Sequence, residues 1–214
     1  MAGPPPTPRR DRLPPGLWLG LGCMLGAATW IAISLGDARG LNALHLLNRS
    51  LVRVSLPFFV LAFSASSLAR LWPAPWSRRL LRERRGFGLA WAAIHLTHAA
   101  AIVTLWQAGG ERPDLVTALF GGLGFVLTLA MALTSSDAAV RRLGARGWKR
   151  LHTFGIRYLM FIYLFTYFGR VSEGPETAWP AIALGSLLTL VGLRIAAGLK
   201  SRSAAGPKSG LAAS

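Results

Sequence analysis

His95 and His98 stand three residues apart in RRGFGLAWAAIHLTHAA, a run whose apolar part is long enough to enter a membrane. His95 lies about eight residues into that run, roughly 12 Å along a helix axis and beyond easy reach of headgroup water. Ionisable groups at such depth are costly, and by default they mark function. His98, one turn on, is rotated by about 60°, so both rings can face a bundle interior. A third imidazole, His152, opens another apolar run after the basic loop ending WKR, and His45 precedes an earlier one. Two neutral imidazoles from neighbouring helices suit the axial positions of a haem iron, whose macrocycle the apolar helices would solvate. Arg84 lies eleven residues before His95, close to three full turns, and so on nearly the same face. Arg84 and Arg85 are placed to meet the anionic propionates. Each residue also has a plainer role. His95 could hydrogen-bond across helices, His98 could pack beside it, His45 could be a solvated loop histidine, and the arginines could be topology anchors.

The elements that must hold these residues are membrane helices. The chain has 214 residues, 52% hydrophobic and 15% charged, with a mean hydropathy of +0.43. A soluble domain carries about a quarter charged residues. The net charge of +16 is dispersed in short clusters between apolar runs, which argues against nucleic acid and for membrane topology. Cys23 is the only cysteine, which excludes an internal disulfide or a cysteine-built metal site.

A spanning helix needs about 20 mainly apolar residues. Six segments qualify: Gly16–Leu35, Val54–Trp72, Phe87–Ala108, Leu115–Thr134, Leu151–Phe168 and Trp179–Leu199. The first follows Arg9, Arg10 and Arg12 but exceeds the apolar core of a signal peptide, so a retained helix is expected. Seventeen Lys and Arg fall on the side of the termini and five on the other, where Glu111, Asp114, Glu173 and Glu176 also lie. The expected fold is an all-α membrane protein, a bundle of six transmembrane helices with both termini cytoplasmic. Its domain spans 16–199, between a Pro/Arg-rich tail, 1–15, and a small-residue tail, 200–214, both read as disordered. No soluble catalytic domain is expected.

Three stretches then carry a resemblance: NRSLVRVSLPFFVLAFSASSLARLW, RRGFGLAWAAIHLTHA and TSSDAAVRRLGARGWKRLHTF. Over about 41–168 the chain resembles the ferric reductase-like transmembrane domain family. Within it, the chain is similar to the haem-binding membrane subunits of bacterial periplasmic methionine sulfoxide reductase systems. The resemblance implies haem b, a quinol or flavin (FMN) electron donor, and a multi-pass inner-membrane location. It also implies electron delivery to a periplasmic molybdoenzyme-type reductase subunit or other redox partner. By position it assigns His95 and His152 to iron, and His98, His45, Arg84 and Arg85 to the haem surroundings. The family's second span-five histidine is Phe165 here. One haem is therefore expected rather than two, with His98 or His45 as the alternative holder of a second. A non-catalytic scaffold and a transporter are the competing readings. Scarce intramembrane carboxylates argue against the transporter.

Overall fold

The computed structural model describes residues 13–174 and 178–204. These residues form six α-helices and no strand: α1 (Pro15–Leu35), α2 (Gly40–Leu71), α3 (Pro75–Gln107), α4 (Leu115–Leu133), α5 (Asp137–Ser172) and α6 (Trp179–Ala204). All but α5 are long and apolar enough to cross a membrane. The apolar half of α5 is interrupted by His152, Arg157 and three tyrosines. The molecule is a multi-pass membrane protein. Helices suit that solvent because each satisfies its own backbone polar groups.

Several helices outrun their apolar cores. α2 begins at Gly40 rather than near Val54, α3 at Pro75 rather than Phe87, and α5 at Asp137 rather than Leu151. The α2 and α3 extensions are unbroken helix, whereas α5 is two helical pieces joined at Gly144, whose φ of +70° and ψ of 151° are non-helical. α6 continues to Ala204, so residues 200–204 of the expected tail are helical. Residues 1–12, with Arg9, Arg10 and Arg12, lie outside the described residues, as do 205–214 and Glu176.

α2 and α3 form the central pair. α1 packs on both, α6 on α2 and α5, and α4 on α3 and α5. α1 approaches α3 closely because small residues meet there: a Cβ added to Gly22 would stand 2.5 Å from the Ala90 carbonyl oxygen, and one on Gly26 would stand 2.7 Å from Thr97 Oγ1. Such contacts replace the hydrophobic drive that is missing between helices in lipid. Phe59, Phe63, Trp91, Leu159, Tyr163 and Leu187 make the main core. Apolar side chains such as Leu115, Val126, Phe161 and Phe165 point outward, as lipid requires. Pro57 lies inside α2. At the start of α4, Asp114 accepts from the backbone N–H groups of Val116 and Thr117 (2.9 and 3.0 Å) and from Thr117 Oγ1 (2.6 Å). The Thr117 hydroxyl first, then the backbone donors, hold its carboxyl below the usual carboxylate range.

Candidate functional site

One face of α2 carries His45, Asn48, Arg49, Val52 and Arg53, spaced at the helical period. It looks across a cavity of about 440 Å³ towards His95 and His98 of α3, Phe125 of α4, and Tyr163, Tyr167 and Arg170 of α5. Trp179 at the start of α6 completes the wall. The volume suits a small-molecule pocket, for which about 300–1,000 Å³ is usual.

The floor is an aromatic box around His95. Its ring stacks on Trp91, with centroids 4.9 Å apart and planes 20° apart, and it lies 4.8 Å from Phe125 and 6.2 Å from Tyr163. Trp91 Nε1 donates to the buried Tyr163 hydroxyl (3.1 Å), tying α3 to α5 beside that ring. His98 lies 5.9 Å from both His95 and Phe125. The Nδ1 atoms of His95 and His98 are buried and have no hydrogen-bond partner among the described residues. Buried polar atoms are nearly always paired, so two orphans on neighbouring rings need a reason. The rim is cationic. Among the described residues, Arg49, Arg53 and Arg170 line it beside a single acid, Glu173, and the Arg53 guanidinium lies over the Trp179 ring at 5.8 Å. His45, exposed on α2, stands among the same lining residues. The chamber can therefore accept a flat apolar body with an imidazole beneath it and anionic groups at its mouth.

The other expected site residues lie elsewhere. His152 is not in the chamber. Its Nε2 shares a hydrogen bond with Thr134 Oγ1 (3.1 Å), and its ring stacks on Trp148 at 4.3 Å. His95 is level with Tyr163, which is eleven residues past His152 on α5, roughly 16 Å further along that helix. Metal–imidazole bonds are only about 2 Å long, so His95 and His152 cannot share one iron in this arrangement. The expected propionate partners are likewise at the far end. Arg84 Nε donates to the Ala62 carbonyl (3.0 Å) and Arg85 pairs with Asp137 (2.8 Å). Arg84 does share a face with His95, but eleven residues of rise separate them.

Among relatives, the protein-methionine-sulfoxide reductase heme-binding subunit MsrQ of Caulobacter vibrioides is 32% identical over 69% of this chain and 71% of its own length. That of Deinococcus radiodurans is 33% identical over 66% of this chain and 73% of its own. The chain belongs to the MsrQ family. The Bordetella pertussis MsrQ aligns over 85% of this chain and 89% of its own length at 29% identity. The match to the Azospira oryzae MsrQ, 34% identical, spans about half (51%) of that protein. No family model matches the chain, and no solved structure matches it.

Against that family background, Phe165 is 70% exposed and absent from the chamber wall, while Tyr163, Thr166 and Tyr167 line it. The sequence reading missed Arg49, Arg53 and Arg170 as site residues. Two periodicities could have revealed them: His45–Arg49–Arg53 and Tyr163–Tyr167–Arg170 each follow one helical face.

Proposed function

We propose that this MsrQ-family chain is a haem-b-binding electron-transfer subunit of the bacterial inner membrane, with six spanning helices and both termini cytoplasmic. The relatives, which are heme-binding subunits, support haem binding, and the charge asymmetry supports the orientation. The observation that carries the site is His95, held in an aromatic box with a buried, unpartnered nitrogen facing no protein acceptor.

The chamber fits the cofactor by three criteria. It offers imidazole donors, apolar and aromatic walls, and a cationic rim. His95 would hold the iron with His98 beside it, and Arg49, Arg53 and Arg170 would meet the carboxylates. Bound haem supplies one-electron chemistry at a potential set by its axial ligand and its burial. Trp91, Phe125 and Tyr163 exclude water and fix the plane of the His95 ring. The chamber opens among the ends of α2, α5 and α6 that the charge asymmetry assigns to the periplasm, so the site adjoins a periplasmic acceptor without a second haem. That acceptor is a reductase subunit of the molybdoenzyme type, and the donor is a quinol or a flavin. His152 belongs to a separate level of the bundle.

The test is the haem content of the full chain purified from membranes. Pyridine haemochromogen analysis should give about one haem b per chain. His95→Ala should remove it and His152→Ala should leave it. Stoichiometric haem in His95→Ala would overturn the assignment.

A further inference from the structure

At the end of the bundle opposite the chamber, arginines from four helices gather where, among the described residues, no carboxylate pairs with them. Arg84 of α3 reaches α2 and donates from Nε to the Ala62 carbonyl (3.0 Å). The next α2 residue, Phe63, is covered by Arg194 of α6, whose guanidinium carbon lies 4.7 Å from the ring centroid. Two cationic side chains thus converge on one turn of α2 from different helices. Arg70 follows Phe63 by seven residues, two turns on along nearly the same face of α2, and Arg157 belongs to α5, which packs against α6. Arg84 and Arg194 are half-buried, whereas Arg70 and Arg157 are exposed.

Nearby acids are engaged elsewhere. Asp137 pairs with Arg85, the one ion pair among the described residues, and Glu83 accepts from Trp18 Nε1 (3.1 Å). Arg194 Nη1 is buried and has no hydrogen-bond partner among the described residues. An unmatched donor on a half-buried guanidinium, with a second guanidinium on the same turn of α2, suits an anion. The planar fork of arginine matches phosphate oxygens. Basic pockets between helices at the cytoplasmic face are suited to anionic headgroups.

We propose that Arg84 and Arg194, flanked by Arg70 and Arg157, form a site for a phosphate group, carried either by an anionic phospholipid or by a soluble phosphate compound. The site does not depend on the haem assignment, and its test needs no haem.

The full chain is placed in nanodiscs of phosphatidylcholine alone, in the same discs with added inorganic phosphate, and in discs containing phosphatidylglycerol. The unfolding midpoint is followed by tryptophan fluorescence. The midpoint should rise with one of the anions. Arg84→Gln/Arg194→Gln should abolish the rise, while Arg79→Gln/Arg82→Gln, which removes equal charge from exposed positions, should keep it. A rise with phosphatidylglycerol alone assigns the headgroup, and a rise with inorganic phosphate assigns a soluble ligand. If the double variant does not fold, each single substitution should raise the half-effect concentration at least tenfold. No rise in the wild type, an equal loss in the control pair, or unchanged single variants would overturn the site.

Discussion

Replacing His95 by Phe should stabilise the ligand-free protein while destroying its cofactor site. A phenyl ring keeps the partners on either side, Trp91 at 4.9 Å and Phe125 at 4.8 Å. It removes a nitrogen that is buried without a partner. An unsatisfied buried polar atom costs about 1–3 kcal/mol, so ligand-free His95→Phe should be more stable by that amount. For a chain of this length about 2–4 °C accompanies each kcal/mol, so the midpoint should rise by roughly 2–12 °C. The assay is thermal unfolding, followed by tryptophan fluorescence, of wild type and variant from haem-depleted cells. After growth with haem the order should reverse, because only the wild type gains stability from a bound ligand. A ligand-free variant that melts lower than wild type would show that the imidazole is already satisfied, and the argument from the orphaned nitrogen would fail.

Three further outcomes are expected. Trp91→Phe deprives the buried Tyr163 hydroxyl of its donor and should cost about 1–3 kcal/mol in chemical unfolding. Gly86→Ala drives a methyl group into the Trp18 ring and should cost about 1–3 kcal/mol as overpacking; Trp18→Ala in the same chain should relieve most of that loss, giving a strongly non-additive double-mutant cycle. The depressed Asp114 carboxyl should support α4 fully above its unfolded value of about 3.9 and lose that support as pH falls through the lower folded value. Unfolding midpoints measured across the acid range should therefore fall more steeply for the wild type than for Asp114→Asn, which still caps the helix.

The helical, membrane-embedded character of the chain was readable because lipid leaves few alternatives for a 20-residue apolar run. His95 and His98 drew notice for a related reason, since a polar ring at that depth stands out from its surroundings, and the structure places both on the chamber wall. What eluded sequence reasoning was depth and facing. Arg84 has the right azimuth relative to His95, but azimuth repeats every turn and says nothing about the roughly 16 Å between them. His152 entered the reading through its parallel helix, yet parallel helices align chemistry only when their residues sit at equal height. Arg49, Arg53 and Arg170 were counted as the minority charges of the outer side, a tally that treats arginines as topology and ignores which face they share. The boundary errors have a similar origin, because hydropathy ends where the apolar run ends whereas the hydrogen-bond ladder continues until a residue breaks it.

Pro57 has no N–H to offer the Arg53 carbonyl four residues earlier, and its ring crowds that oxygen. The missing rung falls directly beneath the segment of α2 that carries His45, Asn48, Arg49 and Arg53. Below it, Phe59 and Phe63 are locked in the core. The long helix is thus a stiff post with a weakened collar, and the cationic wall above the collar can tilt at less cost than an unbroken helix would. A bulky planar guest could be admitted there by elastic give in one helix, with the rest of the bundle left at rest.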